Sequence, residues 1–138
     1  MYTGVKGIGG IFFKSPDPQK TKDWYATHLG LKTDACGTCF GWRNLDDPTK
    51  KGFTQWSVMS KDRTEHIPEN QSFMINYRVE NIEALVEQLS QHGVIIVDEI
   101  TSYDYGKFVH ILDEDGLTIE LWEPNDEVFE TYISGLTR

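Results

Sequence analysis

Ile11-Phe12-Phe13-Lys14, followed by Asp17 and a helical stretch closing on Leu29-Gly30, returns downstream as Ile75-Asn76-Tyr77-Arg78, Asn81 and a helical stretch closing on His92-Gly93. The offset is 64 residues through the strand and slips by one at the glycine. What comes after each glycine also corresponds. Phe40-Gly41-Trp42 and Leu45-Asp46-Asp47-Pro48 match Phe108-Val109-His110 and Leu112-Asp113-Glu114-Asp115. Each then runs into a further strand, Phe53 to Val58 and Leu117 to Trp122. One unit, strand–helix–strand–strand–strand, is therefore predicted twice.

Local chemistry supports both copies. Asp17 and Asn81 are good N-cap types, and Pro18 follows at a first helical position. Trp24, Tyr25, His28 and Leu29 share one side of the first helix; Ile82, Leu85, Val86 and Leu89 share one side of the second. Gly30 and Gly93 stand where a left-handed C-cap belongs. Asp113-Glu114-Asp115-Gly116 reads as a turn between two β-rich runs. The expected organisation is one domain, with a first module over 5–58, a polar linker over 59–70, a second module over 71–124 and a tail over 125–138. Val128, Phe129, Tyr132 and Ile133 of that tail need a surface to cover, on the domain itself or on a second subunit.

The 138 residues carry 13 Lys and Arg against 22 Asp and Glu, a formal charge of −9. That sign repels phosphate backbones and anionic lipid, so nucleic acid and membrane surfaces are excluded as expected partners. No apolar run approaches the roughly 20 residues of a membrane span, and no secretory signal opens the chain, so a cytoplasmic location is expected. Cys36 and Cys39 are the two cysteines. With no second pair for zinc and a strand-like Phe40-Gly41-Trp42-Arg43 following them, they read as small residues flanking a Gly37-Thr38 hairpin turn. A strained disulfide between them is the alternative.

Two such units resemble the vicinal oxygen chelate superfamily, which includes glyoxalase I, fosfomycin-resistance proteins, extradiol dioxygenases and bleomycin-resistance proteins. Phe13-Lys14-Ser15-Pro16-Asp17 leading to Trp24-Tyr25 and Leu29-Gly30 carries the likeness, as does the closing Asp113-Glu114-Asp115-Gly116-Leu117-Thr118-Ile119-Glu120-Leu121-Trp122-Glu123-Pro124. The resemblance implies an α+β fold: tandem βαβββ modules, a half-open eight-stranded barrel-like sheet, helices outside and a cavity between modules. It also favours a homodimer. Strand alternation then sends Ile11, Phe13, Ile75, Tyr77, Val79, Ile119 and Leu121 towards the helices. Gly10, Phe12, Lys14, Met74, Asn76, Arg78, Thr118, Glu120 and Trp122 face the cavity. A register with His110 opposite Glu120 adds Phe108 and His110 to that face, and a one-residue slip would reverse it.

Metal-dependent members of the superfamily hold an ion with side chains from the first strand of each module and a carboxylate from the last. Carried over, those positions fall on Gly10, Met74, Thr54 or Trp56, and Glu120. Glu120 alone matches, so no metal cofactor is expected. His28, His66 and His92 are read as structural or solvated, and Asp98-Glu99 as a solvated acidic face.

What remains is a small-molecule site with aromatic walls from Phe12, Trp42, Trp56, Phe108 and Trp122. Asn76, His110 and Glu120 are its polar points, with Lys14 and Arg78 towards the strand ends. Tyr103-Asp104-Tyr105 precedes the seventh strand, and Tyr105 is placed at the lip. Two functions compete. The first is a metal-independent lyase or isomerase acting on a small, partly aromatic or carboxylated molecule. Glu120 is its base, His110 assists, and Arg78 or Lys14 holds a substrate anion. The second is a non-catalytic binder of cationic aromatic molecules, resembling bleomycin-resistance proteins, and a metal enzyme with a non-standard ligand set around Glu120 and His110 ranks behind both.

Overall fold

The computed structural model describes residues 4–62 and 66–138. Eleven elements follow one another: β1 (Val5–Ser15), α1 (Pro18–Leu29), β2 (Gly37–Arg43), β3 (Lys51–Ser60), β4 (Phe73–Val79), α2 (Ile82–Gln91), β5 (Thr101–Tyr103), β6 (Gly106–Leu112), β7 (Thr118–Pro124), α3 (Asp126–Tyr132) and β8 (Leu136–Thr137). The strands form one mixed sheet in the order β5-β6-β7-β4-β1-β3-β2-β8, with two free edges, so it is not closed into a barrel. β1 and β4 meet antiparallel at the centre. β3 runs parallel to β1 and β7 parallel to β4, which makes the two halves equivalent about that seam.

The halves diverge at their edges. β5 adds antiparallel to β6, whereas the outermost strand of the first half is β8, supplied by the C-terminal tail and parallel to β2. The fourth strand expected inside the first unit is thus borrowed from the end of the chain. The tail packs on its own domain through Asp34, whose carboxylate accepts from Ser134 Oγ and the Gly135 N–H. No helix among the described residues is long and apolar enough to cross a membrane.

Helix ends show how local sequence and tertiary structure share the work. Asp17 caps α1 by accepting from the Lys20 N–H at 3.1 Å, and Gly30 ends it in the left-handed region at φ 73°. Asn81 stands at the N-cap of α2 but makes no side-chain bond there. Glu123 of β7 takes the Ile82 N–H instead, at 2.9 Å. The dry core lies between α2 and the sheet: Val79, Ile82, Leu85, Val109, Ile111 and Leu121. Val109 and Ile111 therefore face the helix, as the alternation of β6 requires when His110 stands opposite Glu120.

Candidate functional site

On the other face of the sheet lies a cavity of about 750 Å³, within the range of small-molecule sites. β1 contributes Phe12, β4 contributes Met74 and Asn76, and β7 contributes Glu120 and Trp122. Phe108 of β6 and Tyr105 before it complete one wall, where Phe108 stacks on Trp122 with centroids 5.6 Å apart. Phe129 and Tyr132 of α3 also line the cavity, so the tail helix lies on the concave side rather than outside the sheet.

Alternation placed the residues of β4 and β7 because their pairing sets Asn76 beside Glu120. The first half of the sheet runs one residue out of the expected register. Pairing of β1 with β3 puts Ile11 beside Trp56 and Phe12 beside Ser57. Trp56 consequently points to α1, with its ring 5.4 Å from Phe13 and 4.9 Å from Tyr25, and Gln55 and Ser57 line the cavity instead. Trp42 is not on the wall either; its Nε1 donates to Thr54 Oγ1 and its ring lies 5.0 Å from the Arg78 guanidinium. Arg78 is buried between Trp42 and Trp122, donates to the Phe53 carbonyl and is paired with Asp126. It is a structural tie for α3, its charge matched by Asp126. Lys14 spends its ammonium on the Pro68 carbonyl at 2.7 Å.

A register shift between Ile8 and Gly10 also turns Gly9, rather than Gly10, onto Asn76. A Cβ at Gly9 would stand 2.1 Å from Asn76 Oδ1, so only glycine fits. Asn76 Nδ2 donates to Glu120 Oε1 at 2.7 Å, and Asn76 Oδ1 is buried without a hydrogen-bond partner. An ionised carboxylate only accepts, which fixes which end of the amide faces Glu120.

Glu120 Oε2 lies 2.7 Å from His110 Nε2, and His110 Nδ1 lies 2.7 Å from Asp98 Oδ2. Asp98 Oδ1 accepts the His110 backbone N–H as well. The result is a chain, Asp98–His110–Glu120, running from a partly exposed carboxylate to the cavity wall; His110 and Glu120 are 4% and 8% exposed. Burial by itself would lower the histidine pKa, but the bonds and charges of Glu120 and Asp98 outweigh it and raise it. An imidazolium donating to both carboxylates satisfies all three groups.

Asp98 is the partner that the sequence reading gave to solvent. It reaches His110 because the segment before β5 folds back on β6, with the Val97 N–H donating to the His110 carbonyl. No local pattern marks that segment as a strand. His66 of the linker likewise is not free; it lines the cavity and stacks on His110 at 4.4 Å. The Gly37-Thr38 hairpin turn does not form, because β2 begins at Gly37. Both cysteines are free thiols: Cys36 is exposed, whereas Cys39 is buried and donates to Gln55 Oε1. Burial first, then the charges of Asp34 and Cys36, push the Cys39 thiol up to about 12, so it is protonated and unreactive at neutral pH.

The donor set can be tested against a metal ion. At the superfamily positions Gly10 and Met74 offer no useful donor, Gln55 holds the Cys39 thiol, and Glu120 is the one carboxylate, each of its oxygens accepting one hydrogen bond. A second cluster exists: His66, Asp98 and His110 bring ligand atoms within 4.8 Å of one another. Both ring nitrogens of His110 already face carboxylates, and the rings of His66 and His110 lie parallel, 13° apart. The superfamily positions lack a full ligand set, and an ion held by His66, Asp98 and His110 would take the place of a His110–carboxylate bond.

A family model for the Glyoxalase/Bleomycin resistance protein/Dioxygenase superfamily matches residues 7–121. No curated protein matches the chain. Among solved structures, methylmalonyl-CoA epimerase from Mycobacterium tuberculosis is 19% identical, with a TM-score of 0.60 over 91% of this chain and 93% of that one. A Streptomyces coelicolor methylmalonyl-CoA epimerase in complex with 2-nitronate-propionyl-CoA gives a TM-score of 0.67 at 13% identity, over 88% of this chain and 99% of that one. An NAD-dependent benzaldehyde dehydrogenase structure from Legionella pneumophila gives 0.55 at 14% identity, over 84% and 98%. At such identities the likeness is one of fold.

Proposed function

The chain belongs to the Glyoxalase/Bleomycin resistance protein/Dioxygenase superfamily, and from that premise we propose that it binds a small, partly aromatic or carboxylated molecule and isomerises it by metal-independent proton transfer, with Glu120 as the base. The observation that carries this reading is the hydrogen-bonded chain from Asp98 through His110 to Glu120, ending among aromatic side chains. A carboxylate alone on an apolar wall would be costly to keep; two strong donors hold this one in a single orientation.

The step is a proton abstraction next to a carbonyl. The substrate C–H bond breaks, the proton passes to a Glu120 oxygen, and the electron pair is taken up as an enolate. Return of the proton to carbon gives the isomer and restores the carboxylate. His110 does not line the cavity; it acts through Glu120 as a positioning residue, held by Asp98. The unpartnered Asn76 Oδ1, cleared by Gly9, suits an N–H or O–H of the ligand. Gly10 and Met74, at the superfamily's first-strand ligand positions, support doing this without a metal.

Candidate ligands are found by the rise in melting temperature that native-state binding produces. Each is then incubated with the protein in deuterated water, and loss of its exchangeable C–H signal is followed by proton NMR. Exchange should fall by about 10²–10⁴-fold in Glu120→Gln, measured below the melting transition of that variant. Undiminished exchange in that variant removes Glu120 as the base. Metal analysis of untagged protein gives the second arm: near-stoichiometric Zn, Fe, Mn or Ni, lost in Glu120→Gln, overturns the metal-independent route.

A second reading has its own support. The aromatic wall of Tyr105, Phe108 and Trp122 and the net charge of −9 suit sequestration of a cationic aromatic molecule without chemistry. Stabilisation by cationic aromatics with no carbon–hydrogen exchange in any ligand is the result that favours it.

A further inference from the structure

We propose that Lys22 is the anion-binding residue of the cavity and that the ligand is an elongated molecule with a carboxylate at the end remote from Glu120. This rests on the cavity being a small-molecule site and specifies the charge and shape of what enters it. Three cationic or ionisable basic side chains are buried: Lys22, Arg78 and His110. Arg78 has Asp126, and His110 has Asp98 and Glu120. Among the described residues Lys22 has no carboxylate. Its ammonium donates to the carbonyls of Ala35 at 3.0 Å and Asp34 at 3.4 Å, although only 5% of the residue is exposed.

The neighbouring Asp34 carboxylate does not serve as its counter-ion. That group is committed to the N–H groups of Cys36, Gly37 and Gly135 and to Ser134 Oγ. An ammonium has three donors and two are accounted for, so one remains. A buried cation without an anion is an unstable arrangement that a bound carboxylate relieves. Lys22 and Glu120 are the two formally charged residues of the cavity lining. Glu120 is on β7, and Lys22 is on α1, which packs against β1 and β3. β7 and β3 stand three places apart in the sheet, on the order of 14 Å along its curve at about 4.8 Å per strand. A ligand that answers both groups is therefore long, with its proton-donating carbon at one end and its anion at the other.

The test uses a series of ω-phenylalkanoates of increasing chain length, each beside its uncharged primary amide and the matching amine, titrated by calorimetry into the full-length protein. The best carboxylate should bind about tenfold or more tightly than its amide, and the amine should bind least. Lys22→Met should abolish that preference and Lys22→Arg restore it. The preference is read from binding alone, without turnover, which separates this inference from the role of Glu120 as base. Lys22→Met also loses two bonds to the 34–35 segment, so its melting temperature is read alongside. Lys22→Gln, which keeps a donor to those carbonyls, should lose the preference in the same way. Equal affinity for acid and amide, a preference for the amine, or a preference that survives in both neutral variants overturns the assignment while leaving the cavity reading in place. Binding of none of the probes overturns both.

Discussion

The two halves of the sheet are built on one plan and stabilised by different means. In the second half an amphipathic helix, α2, closes a continuous dry core with Ile82 and Leu85 against Val109, Ile111 and Leu121. In the first half α1 is mostly polar, buries Lys22, and touches the sheet through an aromatic cluster of Tyr25, Phe13 and Trp56. The second half owns its edge strand; the first takes β8 from the tail, tied down by Asp34. One half thus provides rigidity and the Asp98–His110–Glu120 chain. The other provides a groove whose walls depend on a distant segment of sequence. Duplication supplies a scaffold, and divergence between copies supplies a site.

That contrast can be broken most severely in the core of the second half. Leu85→Ala should cost about 2–5 kcal/mol in denaturant unfolding, since its side chain is buried in that core. A cost below about 1 kcal/mol would mean that α2 is not the anchor described. Next comes the tie between tail helix and sheet. Asp126→Ala leaves the Arg78 guanidinium between two tryptophans without its anion. The expected loss is about 2 kcal/mol, below that of a fully enclosed pair because Asp126 is partly solvated.

The pH dependence should carry opposite signs in the two halves. His110 has a raised pKa, so the stability it contributes is fully present below the ordinary histidine value of about 6.5 and is lost as pH rises through the folded value. Burial alone would raise the Asp34 pKa, but the bonds from Ser134, Cys36, Gly37 and Gly135 outweigh it and lower it. Its contribution is present above the ordinary aspartate value of about 3.9 and is lost as pH falls through the folded value. Melting curves across pH should therefore lose their alkaline slope in His110→Gln and part of their acid slope in Asp34→Asn. Identical profiles for wild type and both variants would refute the assignment. The smallest effect belongs to the helix of the first half: Leu29→Ala, at a position 59% exposed, should stay within about 0.5 kcal/mol.

Legibility followed the same division. On β4 and β7 the alternation runs against a single apolar core, so the inward set Met74, Asn76, Glu120 and Trp122 could be read from the sequence, whereas the facing of His110 and Glu120 hung on a hairpin register that the structure supplied. On β3, Thr54-Gln55-Trp56-Ser57 offers no such asymmetry, because Trp56 suits a cavity wall as well as a helix contact. Pairing with β1 decided the matter, and a shift of one residue exchanges every face. Asp98 and Lys22 carried no signal at all. The first sits in a segment without strand pattern, and the second in a run of polar helical residues.

The amino-acid order alone determined the repeat, the helices, the caps of α1 and the inward set of the second half, because these depend on neighbours within a few residues and on periodicity. Three things were decided only when the chain closed: the pairing register of β1 with β3, the return of the tail as β8, and the placing of Asp98 against His110 and of Lys22 beside the 34–35 carbonyls. Each is a contact between segments far apart along the chain or lacking any local pattern, where the loss of water and the pairing of buried charge, rather than local preference, select the partner.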